Sequence, residues 1–108
     1  AGRFVAVLGS MRELGEAAVA QHLEVGSEAA KHHVDLLFTF GEHAAVLAQG
    51  AQQAGLNPRC VQATDDIETL KKNLTATLKS GDVVLVKGSR GMKLERLVEH
   101  LKTEMGVD

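Results

Sequence analysis

Val83-Val84-Leu85-Val86 leads directly into Lys87-Gly88-Ser89-Arg90-Gly91, and leucines at helical spacing follow. A short apolar run rich in β-branched residues reads as a strand covered on both faces. The glycines make a tight loop, and Met92 to Glu104 reads as a helix with Leu94, Leu97, Val98 and Leu101 inward. This strand, loop and helix unit sets the pattern for the rest of the chain. Upstream of it, Asp65 starts a helix with Glu68 three residues later, a capping-box spacing. Ile67, Leu70, Leu74 and Leu78 form that helix's apolar stripe, and Ser80-Gly81-Asp82 closes it. Arg59 to Ala63 is a short strand after the Asn57-Pro58 turn, with Cys60 as a core residue in it.

The first half repeats the alternation. Arg3 to Leu8 is a strand, and Gly9 to Gly15 is a loop. Glu16 to His33 is a helix on which Val19, Leu23 and Ala30 can share a face. Gly26 weakens its middle by about 1 kcal/mol relative to alanine, and marks either a close helix contact or a break. Asp35 to Phe40 is a strand ended by Gly41, and Ala44 to Ala54 is a helix with Gly55 at its C′ position. Strands alternating with amphipathic helices imply a Rossmann-like α/β fold: a doubly wound, mostly parallel sheet of about four strands with helices on both faces. Phe4–Leu8 and Val83–Val86 are expected at its centre.

The chain has 108 residues, which fits a single domain spanning 1–108. Hydrophobic residues are 44% and charged residues 24%, enough for one core. A net charge of -2 argues against a general nucleic-acid binder, and with only three phenylalanines as aromatics a base-stacking platform is not expected. No apolar run approaches the roughly 18 residues of a membrane span. A single cysteine excludes an internal disulfide framework and suits a reducing cytoplasm.

In such sheets ligands bind beyond the carboxyl ends of the strands. That rule selects the loops Gly9–Gly15, Gly41–His43, Thr64–Asp66 and Lys87–Lys93. The last is the most informative. Gly88 and Gly91 let backbone N–H groups approach a ligand, the following helix N-terminus favours an anion, and Lys87, Arg90 and Lys93 add positive charge. The plainer reading is that the glycines only turn the chain and the bases are solvated. The loop is not a Walker A loop, because Gly88 and Gly91 lie too close and Leu94 follows Lys93. It matches the Gly-x-x-Gly of KH domains, but the alternating architecture and acidic balance oppose that assignment. Gly9-Ser10-Met11 misses the dinucleotide fingerprint Gly-x-Gly-x-x-Gly, since Met stands where glycine is needed. Ser10 suits a helix cap better than a ligand contact.

The five histidines do not make a metal site. His32 and His33 are adjacent, so on a helix they point about 100° apart. His22 is mid-helix, His43 starts one, and His100 lies on a helix surface; no ligand spacing appears and no metal is expected. Asp65 and Asp66 could bind a hydroxyl or Mg²⁺, but capping explains them better.

Val-Leu-Val-Lys87-Gly-Ser-Arg-Gly-Met92-Lys-Leu-Glu95, preceded by Ser-Gly-Asp82, closely resembles the C-terminal domain of the Mur ligase family. The nearest branch is the one that adds D-alanyl-D-alanine to a UDP-muramoyl peptide. Val-Ala-Val-Leu8-Gly-Ser-Met-Arg-Glu-Leu-Gly15 resembles that family's Val-Leu-Gly-Asp-Met-x-Glu-Leu-Gly loop, and His22-Leu-Glu-Val-Gly26 resembles its His-x-x-Val-Gly helix. The resemblance covers nearly the whole chain.

It implies a domain that closes over a central ATPase domain in a cytoplasmic, peptidoglycan-building amide ligase. The full-length enzyme would use ATP and Mg²⁺, bound mainly by the central domain. Lys87, Ser89 and Arg90 are the implied substrate-binding residues. Gly9, Ser10, Met11, Gly41, Gly88 and Gly91 belong to loops at the active-site edge. No residue of the chain is expected to be catalytic, and the chain alone is expected to be inactive with no cofactor of its own.

Two departures from the family stand out. Ser10 replaces the family's usual Asp, which removes a carboxylate from the edge. The family's opening strand, its Tyr-Asn-Ala-Asn-Pro motif and following helix, and the central Gly-Lys-Thr loop are not in this sequence. A missing strand would expose a sheet edge, so self-association or marginal stability is expected. Sedimentation as a concentration-independent monomer with a high melting temperature would contradict that. The alternative reading is a stand-alone α/β module that binds an anionic small molecule or a protein partner.

Overall fold

The structure, a computed structural model, describes residues 2–11 and 15–87. Strand β1 spans Phe4–Gly9, β2 Leu36–Phe40, β3 Val61–Thr64 and β4 Val83–Lys87. Helices α1 (Ala18–Lys31), α2 (Ala44–Gln53) and α3 (Ile67–Thr77) connect them. The expected helix Met92–Glu104 and the loop Gly88–Gly91 lie outside the described residues.

All strand pairs are parallel, in the order β3-β2-β1-β4. Val5 pairs with Leu36 on one side and Val84 on the other, and Leu37 pairs with Val61. Alternation along the strands splits the core in two. Val5, Val7, Phe38 and Phe40 meet Leu70 and Leu74 of α3 on one face. Ala6, Leu8 and Leu37 meet Val34, Leu47 and Ala51 on the other, where α1 and α2 pack. Two helices on one face and one on the other make the sheet doubly wound, and it is parallel throughout the described residues.

The expected centre of the sheet is corrected. β1 and β2 are internal, but among the described residues β4 is an edge strand. Val84 and Val86 pack against the core on the α3 face, while Val83 and Leu85 are 63% and 45% exposed. The unbroken apolar run is therefore buried on one face only. Cys60 is also corrected. It ends a 3-10 turn (Pro58–Cys60) capped by the Asn57 side chain, half-buried and just before β3. Proline at the start of the turn sets its φ and delays the strand.

Several ends follow local chemistry. Gly55 takes φ +108° after α2. Its N–H donates to Gln52 O, and the Leu56 N–H donates to Ala51 O, a Schellman motif. Helix α1 opens through a 3-10 turn, Gly15–Ala17, rather than directly at Glu16. The cap of α3 is Asp66, not Asp65: its carboxylate accepts from the Glu68 N–H and the Thr69 hydroxyl. Those bonds, the Thr69 one foremost, lower the Asp66 pKa.

Arg3 and Asp82 tie the start of β1 to the turn before β4. The guanidinium donates to both carboxylate oxygens, at 3.1 and 2.7 Å, and to the Thr77 carbonyl at 2.9 Å. The Lys79 N–H adds a further bond to the carboxylate. The Arg3 hydrogen bond first, and the Lys79 N–H second, hold the Asp82 carboxyl far below the usual carboxylate range. A depressed folded pKa means that Asp82 stabilises the fold above its unfolded pKa. That contribution is lost as pH falls through the folded pKa. Asp82→Asn should therefore lower the urea midpoint at neutral pH. Its deficit against the parent should shrink once pH drops below about 4. A deficit that stays constant down to pH 2 would contradict this origin.

Candidate functional site

Parallel strands deliver the ends of β1, β2, β3 and β4 to one edge of the sheet. Gly9 is the last residue of β1 and sits opposite Phe40 in the β2 register. Beyond it the chain is fastened. The Ser10 N–H donates to Phe40 O at 2.8 Å, and Ser10 Oγ donates to the same carbonyl at 3.2 Å. Ser10 Oγ also accepts from the His43 N–H at 2.8 Å, just before α2. Ser10 is 4% exposed, with its hydroxyl committed on both sides. The helix-cap reading of Ser10 is corrected: α1 and α2 both start without a side-chain cap, and the Ser10 hydroxyl instead ties the end of β2 to the backbone of His43 just before α2.

Gly41 adopts φ +109°, and its N–H donates to Thr64 O. With Glu42, Ala45, Thr64 and Asp65 it lines a groove of about 360 Å³ at the carboxyl ends of β2 and β3. The groove is open to solvent and carries two carboxylates, Glu42 and Asp65, beside the N-terminus of α2. Lys87 ends β4 opposite Leu8, with its side chain exposed. The structure thus brings Gly9, Ser10, Met11, Gly41 and Lys87 to a common edge. Gly88, Ser89, Arg90 and Gly91 fall outside the described residues.

Sequence reading selected His43 with its loop but missed His22 and the contact between the two. His22, on α1, is fully buried and accepts the Met11 N–H on Nε2 at 2.9 Å. Its ring stacks on His43, with centroids 4.3 Å apart and planes 14° from parallel. The available signal was positional: His22 lies four residues before Gly26, on the face that α1 turns toward α2. The stacked rings do not form a chelating set. Among the described residues no group of three or more His, Cys, Asp or Glu side chains could hold a metal ion.

A second, apolar groove of about 400 Å³ runs along the sheet face between α1 and β4, lined by Phe4, Ala6, Val25, Ala29 and Leu85 with Glu28, His32 and Lys87 around it. Among the described residues no helix is long and apolar enough to cross a membrane.

Comparison with known proteins gives one consistent result. Residues 1–90 match the model of the family described as "Mur ligase, glutamate ligase domain". The chain is 36% identical over 104 residues to the UDP-N-acetylmuramoyl-tripeptide–D-alanyl-D-alanine ligase of Bacillus subtilis, covering 93% of this chain and 22% of that protein. The Treponema pallidum ligase of the same name is 35% identical over 102 residues, with the same coverage. Among solved structures, the MurF ligase of Thermotoga maritima in complex with ADP superposes with a TM-score of 0.74 and 30% identity, covering 98% of this chain and 23% of that one. MurF from Acinetobacter baumannii, at 23% identity and a TM-score of 0.82 over 95% of this chain and 23% of that one, shares the fold. The chain spans about a fifth of the length of these relatives. With a family match over residues 1–90 on a sheet of the same architecture, the chain belongs to the Mur ligase family, through its glutamate ligase domain.

Proposed function

We propose that this chain serves as the C-terminal domain of an ATP-dependent ligase that joins D-alanyl-D-alanine to a UDP-muramoyl tripeptide. The observation that carries the reading is its 36% identity, over 93% of the chain, to a ligase named for that reaction. The reaction class implies that the peptide carboxylate is phosphorylated by ATP. The dipeptide amine then displaces phosphate to form the amide. The residues of this chain would bind and orient substrate at the edge built from Ser10, Met11, Gly41 and Lys87. Lys87, Ser89 and Arg90 are the proposed substrate contacts. A dipeptide carboxylate suits a helix N-terminus flanked by lysine and arginine, where charge-assisted bonds form.

ATP as the energy source is supported by the ADP complex of the Thermotoga maritima relative. The described residues offer no cluster that fits Mg²⁺, so no step is assigned to that ion through this chain. A cytoplasmic place and a role in cell-wall construction, and through it in cell shape and division, follow from the same reading. Self-association through the β4 edge, with Val83 and Leu85 exposed, is a proposal for the chain in isolation.

The test is Arg90→Ala in the full-length ligase. One hydrogen bond to a charged group is worth about 1.5–3 kcal/mol, so the KM for D-alanyl-D-alanine should rise roughly ten- to a hundredfold. The KM for ATP should change little. An unchanged dipeptide KM overturns the assignment of Arg90.

A further inference from the structure

The proposed reaction gives His22 no part, yet its ring is held from two sides. The Met11 N–H donates to Nε2 at 2.9 Å. A backbone N–H can only donate, so Nε2 carries no proton and the ring proton sits on Nδ1. Nδ1 faces the Ala18 carbonyl oxygen, which accepts it. The ring is therefore a neutral imidazole in one tautomer, fully buried in α1.

Its face supports His43. The two rings stack at 4.3 Å, and among the described residues His43 Nδ1 is buried with no hydrogen-bond partner. The contacts described for His43 toward this edge are the stack and its backbone N–H bond to Ser10 Oγ at 2.8 Å. Ser10 in turn holds Phe40 O at the end of β2. The contacts close a circuit. It runs from α1 through His22 to the loop after β1, across Ser10 to the loop after β2, and back through the stacked rings. An apolar side chain at position 22 would pack as well, but would leave the Met11 N–H unpaired. Packing alone does not account for a histidine here.

We propose that His22 is a positioning residue for the ligation. As an Nδ1–H imidazole it fixes the Ser10–Met11 backbone and the His43 ring, and so sets the wall that the loops after β1 and β2 present to the substrate. The proposal rests on the ligase reading above. It acts through the loops, not by touching the reacting atoms. Catalytic geometry is sensitive to such supports, since a displacement of about 1 Å can cost a hundredfold.

The test pairs His22→Phe, which keeps a ring and removes the acceptor, with His22→Gln, whose Oε1 can reach the place of Nε2. In the 108-residue chain, ring ¹⁵N shifts should report Nε2 as the unprotonated nitrogen. His22→Phe should speed hydrogen exchange at the Met11 amide about tenfold or more, with β2 amides unchanged, and His22→Gln should restore protection. In the full-length ligase, His22→Phe should raise the KM for D-alanyl-D-alanine about tenfold, and His22→Gln should return it to within about threefold of the parent. A purely structural role would reduce the folded fraction and leave KM alone. A wild-type KM in His22→Phe, or an Nε2–H tautomer, overturns the proposal. If the unsubstituted ligase does not use the dipeptide, the ligase reading itself fails and the positioning role with it. The exchange data would in that case still show whether the loop circuit exists.

Discussion

Gly26→Ala is expected to destabilise the fold by about 3 kcal/mol, although alanine is the better helix former. A Cβ at Gly26 would lie 2.0 Å from the Leu47 carbonyl oxygen of α2. The neighbour is backbone, which cannot swing aside as a side chain would. The contact is reciprocal, because a Cβ at Gly50 would lie 2.1 Å from the Leu23 carbonyl oxygen of α1. Both helices therefore use glycine to cross at close range. The helix-propensity gain from alanine is only about 1 kcal/mol, so separation of the helices decides the sign. Separating them loosens Leu47 and Ala51 from Val34 and Leu37 beneath. Gly50→Ala should cost a similar amount. The double variant should cost less than the sum, since the first substitution already parts the helices. Urea denaturation checks this; an unchanged or raised midpoint for Gly26→Ala would show that α1 and α2 do not cross here.

Phe38→Ala is expected to cost about 3–5 kcal/mol. Phe38 is 2% exposed at the centre of the α3 face, packed with Val5, Val7, Leu70 and Leu74. Truncation removes apolar burial and leaves a cavity between an internal strand and a helix, neither free to collapse into it. Domains of this size have about 5–15 kcal/mol in total, so Phe38→Ala removes a large share of the stability. Val19→Ala is the control: Val19 is 54% exposed on α1, and its truncation should stay within about 0.5 kcal/mol. Equal effects of the two substitutions would contradict the assigned core.

The alternation of strands and helices was legible because its signals are local. Leu70 and Leu74, read as one stripe from their spacing, are buried together on α3. Gly55 stands where a C′ glycine belongs, with the positive φ that the position needs. The place of β4 was not legible. Val83–Val86 is as apolar as β1, and apolar content does not say on which side of a strand the next strand lies. Cys60 was misread because the reach of the Asn57-Pro58 turn depends on its backbone bonds. Asp65 and Asp66 are adjacent carboxylates, and only φ and ψ decide which one caps.

The candidate edge was legible in outline. Topology selected the edge, and the structure places Ser10, Met11, Gly41 and Lys87 there. The circuit of Ser10, His22 and His43 was hidden, because its members lie 12 and 21 residues apart in the chain and join only through the fold. Ser10 also changes meaning. The resemblance suggests a lost carboxylate at an active-site edge, whereas the hydroxyl is spent internally on Phe40 and His43.

The most direct test of the proposed function is the product formed by the longer protein proposed to carry this domain. With ATP, Mg²⁺, UDP-N-acetylmuramoyl-tripeptide and D-alanyl-D-alanine, mass spectrometry should detect the tripeptide extended by the dipeptide, with one phosphate released per amide formed. Activity with another amino acid or peptide, and none with D-alanyl-D-alanine, would contradict the assignment of this domain to the D-alanyl-D-alanine-adding ligases.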